Sequence, residues 1–257
     1  MTDLTPITFA ETDIDRIAGH SGRIAVFLEP EGRLDAGARR VNRLTKGALQ
    51  RLVESERFAK LKPGDVLSMG YPAGMAAEAV DVIHLPRRAE VMTARKAGAA
   101  LATRRVADVA FGLAMRDYGF EDHKSSPKPR KGSVEVMCST SEDAREAAAP
   151  LMAVAEGAFM TRDLTNAPAN ILTTTNFAER LTEMESLGLK VEVLDEEDLA
   201  TLGMRTLLSV GQGSDSPSKV VVMRWEGGAE GTAPLALVGK GVVFDTGGIS
   251  LKPGAGM

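Results

Sequence analysis

Several residue types are scarce in this 257-residue sequence, and each scarcity excludes some chemistry. Cys138 is the only cysteine, so an internal disulfide and a four-cysteine zinc site are ruled out. The three histidines, His20, His84 and His123, all lie in the front half, which argues against histidine-based catalysis in the back half. No Gly-x-Ser-x-Gly elbow occurs, so the α/β-hydrolase nucleophile signature is absent. Apolar runs are short and broken by charges, and none predicts a transmembrane helix. The start, Met1-Thr2-Asp3-Leu4-Thr5-Pro6, lacks the basic and apolar stretches of a signal peptide. The expectation is a cytoplasmic protein with no membrane partner.

What is present has the balance of a globular chain, with 44% hydrophobic and 26% charged residues. The length allows one large domain or two ordinary ones. A net charge of −4 conceals an asymmetry. Residues 1–132 carry 22 Lys and Arg against 17 Asp and Glu, whereas residues 133–257 carry 9 against 18. The basic front half, with Arg39, Arg40, Arg43, Lys46 and Arg51 close together, leaves two readings open. One is a nucleic-acid or acidic-partner surface and the other an ordinary solvated face.

Along the chain, β-like runs alternate with helical patterns. Strands are predicted at 23–28, 65–69, 80–85 and 134–137, with helices at 36–55 and 91–105 and an apolar run at 106–115. The polar segment 121–133, with Pro127 and Pro129, reads as a linker or exposed loop. Ser139-Thr140-Ser141-Glu142 has capping-box spacing, and the helix it opens runs towards Met160 past Pro150, where a late start or kink is expected. A fresh pattern follows: a helix over 175–187 ending at Gly188, a strand over 189–194 and a short acidic helix over 196–202. Strands are then expected over 219–225 and 234–238, the last continuous enough for a central parallel strand. The fold class is therefore α/β, with an N-terminal α/β domain over 1–138. A connecting helix over 139–165 leads to a second α/β domain over 166–257, with a mostly parallel central sheet.

The segment Val238-Gly239-Lys240-Gly241-Val242-Val243-Phe244-Asp245-Thr246-Gly247-Gly248-Ile249-Ser250-Leu251-Lys252-Pro253 carries the chemistry. It places Lys240 just beyond a predicted strand end, where open α/β sheets gather functional groups. Its glycines permit tight turns and close backbone approach. A phosphate P-loop fails, because Gly241 stands where Ser or Thr must follow the lysine. On residues alone, a structural Lys–Asp ion pair, a metal turn and a lysine Schiff base all remain open.

The same segment resembles the metal-binding signature of the leucyl aminopeptidase (cytosol aminopeptidase) family. Arg162-Asp163-Leu164-Thr165-Asn166-Ala167-Pro168-Ala169-Asn170 is similar to the family's entry into its catalytic domain. The stretch from Leu202-Gly203-Met204 to Gly211-Gln212-Gly213-Ser214 resembles a further block. The resemblance is specific from about Arg162 onward; before that, only the α/β layout fits.

It implies a two-metal peptidase that releases N-terminal residues from peptides, with leucine favoured and Mn2+ or Zn2+ as the ions. Lys240 and Asp245 would be metal ligands, Asp245 bridging ions about 3.5–4 Å apart. Lys252 would be the catalytic residue that hydrogen-bonds the substrate carbonyl and the oxyanion formed from it. All three would line the substrate site, and a lysine coordinates only when neutral. In the family, further carboxylates and an arginine holding a bicarbonate-like base lie downstream of the segment matching Leu251–Met257, and a hexamer assembles. Those downstream residues are not in this sequence, so the expectation is a fragment without turnover of its own. Asn166, Pro168, Asn170, Ser250 and the Gly211–Ser214 turn are expected to be loop, cap or turn residues. Met204 and Leu207 are expected in the core.

Overall fold

The computed structural model describes residues 2–86, 89–100, 106–127 and 132–244. The chain divides into two compact units, Met1–Asp163 and Leu164–Met257.

In the first unit, β1 (Ile7–Glu11) pairs in parallel with β5 (Val134–Cys138). A second sheet has the order β2 (Arg23–Leu28), β4 (Ala79–His84), β3 (Val66–Gly70), with β2 parallel and β3 antiparallel to β4. All six residues of β4 are buried, which explains its near-continuous apolar sequence. Val80 and Val82 face Leu28, Val41, Leu49 and Phe58, whereas Ile83 joins Phe27, Leu85 and Ala97. Asp81 interrupts this pattern. Its carboxylate is buried and accepts from Arg23 Nη2 at 2.6 Å and Nε at 2.9 Å.

The helix expected over 36–55 is two helices, α1 (Ala36–Leu44) and α2 (Ala48–Val53). Lys46 and Gly47 take φ of 51° and 81°, a left-handed pair that no continuous helix accommodates. Asp35 caps α1 by accepting from Ala38 N at 2.8 Å. A single turn, α3 (Glu56–Ala59), carries buried Phe58 into the core. α4 (Val91–Ala99) and α5 (Val106–Arg116) follow.

α6 (Ser141–Asn166) runs for 26 residues with Pro150 inside it. At the start of α6, Glu11, at the end of β1, accepts from Ser141 N at 3.1 Å and Ser141 Oγ at 2.8 Å. These bonds hold the Glu11 carboxyl below its ordinary pKa. At the other end of α6, Phe159 meets Tyr118 edge-on at 4.9 Å, and Arg162 donates to Met115 O at 2.8 Å. Buried Asp163 accepts from Tyr118 Oη at 2.9 Å.

The second unit contains α7 (Thr174–Thr182), β6 (Lys190–Leu194), α8 (Glu196–Thr201), α9 (Arg205–Gly211) and β7 (Val220–Arg224). Thr173 caps α7, and a 3-10 turn over Glu183–Leu187 ends at Gly188, as the sequence predicts. Among the described residues, the sheet of this unit is the pair β6–β7, and that pair is antiparallel. The alternation of Lys190-Val191-Glu192-Val193 matches it, with Val191 opposite Met223 and Val193 opposite Val221.

The strand expected over 234–238 is not one. Residues 233–244 have no regular secondary structure, and Leu235, Leu237 and Val238 are 87%, 89% and 99% exposed. A central strand needs neighbours on both edges and both faces. Of the hydrophobic side chains described in this unit, only Leu172, Ala178 and Leu199 are buried. Among the described residues the run therefore finds no strand or core to pack against. Burying each Leu or Val would contribute roughly 1.5–3 kcal/mol that is unrealised here.

Candidate functional site

The second unit builds its polar surface around the N-terminus of α8. Asp195 and Asp198 form a reciprocal capping box there. Lys219 Nζ lies 2.5 Å from Asp195 Oδ1, and Glu196 accepts from Ser218 N at 2.8 Å. These contacts tie the chain entering β7 to α8. Beside them an open cavity of about 420 Å3 is lined by Glu196, Leu208, Gly211, Gln212, Ser214, Asp215 and Pro217. Ser214 N donates to Gly211 O at 2.9 Å, so Gly211–Ser214 is a turn leaving α9, as expected. A Cβ at Gly211 would fall 2.1 Å from Ser218 Oγ. Met204 sits at the N-cap of α9 and is 37% exposed, so the core position expected of it is corrected to a surface one. Leu207 is half-buried.

Lys240 lies on exposed irregular backbone between two glycines. A Cβ on Gly241 would meet Phe177 Cε1, on α7, at 2.9 Å, so a larger residue there would require the ring or the backbone to shift. Lys240 stands in solvent beside this close approach. Asp245 and Lys252, with Gly247, Gly248 and Ser250, lie outside the described residues.

Among the described residues, no group of three or more His, Cys, Asp or Glu side chains could hold a metal ion. Lys240 alone does not make such a site, since a divalent ion takes four or more ligands. The described residues therefore do not fit a metal centre by themselves.

The remaining expected residues fall as follows. Asn166 ends α6. Pro168 O accepts from Ile171 N and Leu172 N, both at 2.9 Å, and shapes the turn into α7. Arg39, Arg43, Lys46 and Arg51 are exposed on α1, α2 and the turn between them. Arg51 Nη1 donates to Lys46 O at 2.9 Å, and Arg40 approaches Asp15 at 3.9 Å. No described helix is long and apolar enough to cross a membrane.

Sequence reasoning missed three buried carboxylates, Glu29, Asp81 and Asp163. An aspartate inside the apolar run Ala79-Val80-Asp81-Val82-Ile83 was the available signal for Asp81, because a buried charge needs a partner. The partners of Asp163, Thr2 and Tyr118, are 161 and 45 residues away, and no local pattern marks them.

A family profile described as "Cytosol aminopeptidase family, catalytic domain" matches residues 159–257. The chain is 52% identical, over all its length, to a probable cytosol aminopeptidase of Cereibacter sphaeroides, of which it covers 55%. It is 54% identical to a protein of the same description from Dinoroseobacter shibae, again covering all of this chain and 55% of the relative. The chain thus spans about half the length of these curated relatives. Among solved structures it resembles the bottromycin maturation enzyme BotP in complex with Mn, with a TM-score of 0.64 at 27% identity. That match covers 92% of this chain and 51% of BotP. A Caenorhabditis elegans leucine aminopeptidase matches at a TM-score of 0.66 and 21% identity, over 98% of this chain and 55% of that one. The latter likeness is one of fold, and the described α/β architecture agrees with it.

Proposed function

Because the chain belongs to the cytosol aminopeptidase family, we propose that it is part of a metal-dependent aminopeptidase that releases N-terminal residues, leucine among them, from peptides. The observation that carries this reading is the family match over residues 159–257, which contains Lys240, Asp245 and Lys252. In it, Lys240 and Asp245 are ligands to a pair of divalent ions, Mn2+ or Zn2+, and Lys252 is the catalytic residue that binds the substrate carbonyl. Such ions, when bound, supply Lewis acidity and an acidified water. The manganese in BotP supports a metal of that kind. What the chain's own described residues contribute is placement. Gly241 approaches the Phe177 ring closely beside Lys240, and Lys240 is exposed.

The 257-residue polypeptide has no turnover of its own in this reading. Support comes from a second unit with three buried hydrophobic side chains in its described part. A bicarbonate base, a cytoplasmic location and homo-oligomer assembly, a hexamer by resemblance, belong to the whole protein in the same proposal. The test is hydrolysis of a leucyl chromogenic substrate by the 257-residue chain with Mn2+. No turnover above buffer is expected. Sustained hydrolysis abolished by a chelator would overturn the inactive-fragment reading.

A second reading, nucleic-acid binding by the first unit, is favoured by the exposed Arg39, Arg43, Lys46 and Arg51. It requires affinity for duplex DNA that falls steeply with salt. Indifference to DNA at low salt would dismiss it.

A further inference from the structure

The first unit contains an open cavity of about 440 Å3, within the size range of small-molecule sites, roughly 300–1,000 Å3. Asp81 and Val66 line it from the sheet, Lys96, Ala99 and Ala100 from the C-terminal end of α4, and Arg116 from that of α5. Two glycines set its walls. A Cβ on Gly112 of α5 would fall 2.4 Å from Arg95 O and 3.2 Å from Ala99 N, so α5 meets the α4 backbone there. Arg116 follows four residues later, on the same helix face. Gly64, just before β3, has φ of 92°, and a Cβ on it would stand 3.5 Å from Lys96 Cβ.

Asp81 is the buried charge of this cavity, 8% exposed at its side chain. It accepts from Arg23 at both oxygens. A carboxylate has about four acceptor positions, so Asp81 can still accept from a donor in the cavity. Lys96 and Arg116 are exposed and make no ion pair among the described residues.

Charge selects the ligand. Arg23 and Asp81 neutralise each other. Lys96 and Arg116 add two positive charges, and the C-terminal ends of α4 and α5 subtract roughly half a charge each, which leaves an excess of about one. A ligand of net charge −1 balances it, with an anionic group for each cation and an ammonium for Asp81 and the helix-end carbonyls. An α-amino acid with a carboxylate side chain has that set. A plain dicarboxylate gives Asp81 no donor, and a neutral amino acid leaves one cation unmet. We propose that this cavity binds an acidic amino acid, glutamate or aspartate. Its ammonium donates to Asp81, its two carboxylates meet Lys96 and Arg116, and its methylene carbons lie along Val66, Ala99 and Ala100.

The test is calorimetric titration of the 257-residue chain with L-glutamate. Saturable binding at one site per chain is expected. Glutarate, which lacks the ammonium, and glutamine, which lacks the second carboxylate, should each bind at least about tenfold more weakly, the effect of roughly 1.4 kcal/mol. Lys96→Met and Arg116→Met, both at exposed positions, should each weaken glutamate binding by a similar factor with the far-UV circular dichroism unchanged. Lys60→Met, at an exposed cation paired with Glu56, should leave it as it is. The proposal is overturned if a folded chain shows no saturable binding at millimolar glutamate, or if glutarate or glutamine binds as tightly. Affinity kept in either cavity variant, or lost equally with Lys60→Met, would also overturn it. Turnover plays no part in the titration, so its outcome is separate from that of the aminopeptidase reading.

Discussion

The carboxylate of Asp163 accepts from Thr2 at both oxygens, with Oδ2 2.5 Å from the backbone nitrogen and Oδ1 2.8 Å from Oγ1. Tyr118 Oη adds a third donor at 2.9 Å. Asp163 is 4% exposed, so these bonds replace its hydration and fasten the first residues to the end of α6. Asp163→Ala leaves those donors without their acceptor and should destabilise the first unit by about 1–3 kcal/mol. Urea unfolding followed by far-UV circular dichroism measures this. A midpoint unchanged from the parent would mean that the anchor contributes nothing.

The Arg23–Asp81 pair is asymmetric, and its two single mutants should differ accordingly. Asp81 is 8% and Arg23 53% exposed at the side chain. Removing Arg23 strands a buried carboxylate, for which about 3–5 kcal/mol is typical. Removing Asp81 leaves a guanidinium that water can reach. Arg23→Ala should therefore be the more destabilising change in matched denaturant melts. The reverse order would refute the burial argument.

Glu11 supplies a pH dependence. Its folded-state pKa is lowered by the bonds from Ser141, so it binds a proton less readily folded than unfolded. The stability it contributes is present above the ordinary carboxylate pKa and is lost as pH falls through the lowered value. Thermal melts between about pH 6 and pH 3 should show a shallower decline for Glu11→Gln than for the parent. Parallel declines would show that the cap is not coupled to folding.

Much of the first unit is legible in the sequence because its strands are apolar runs of strand length, and Arg23–Leu28 is read at its own limits. The break at Lys46–Gly47 is harder, since the apolar spacing of Val41, Leu44, Leu49 and Leu52 continues across it. β1 is missed because Ile7-Thr8-Phe9-Ala10-Glu11 is short and half-buried, and its pairing with β5 lies more than a hundred residues away. The run Pro234–Val238 fails for the opposite reason. Its pattern states what it would do with neighbours, and the described residues supply none. Of the candidate site, Lys240 is placed, but its surroundings depend on contacts no local pattern encodes, such as Phe177 against Gly241.

Cys138 offers a chemical check on the first unit. It is the one thiol in the chain, and burial in β5 raises its pKa, with Glu11 adding to the effect and a bond to the Thr140 backbone opposing it. The reactive thiolate is therefore scarcer than in a free cysteine. Iodoacetamide at about pH 8, near the free-thiol pKa, should alkylate Cys138 more slowly in the native chain than in urea. Equal rates would contradict the described burial.

The central claim is that Lys240 belongs to a metal-dependent aminopeptidase site which this chain holds in part. The most direct test joins the remaining portion of the Cereibacter sphaeroides relative to this chain and measures leucyl-substrate hydrolysis with Mn2+, with and without Lys240→Met. The account predicts chelator-sensitive turnover by the joined protein, none by the 257 residues alone, and a loss of about 100-fold or more with Lys240→Met, at the upper end of what disturbing a metal's surroundings costs. A joined protein that keeps full, metal-dependent turnover without the lysine amine would contradict it.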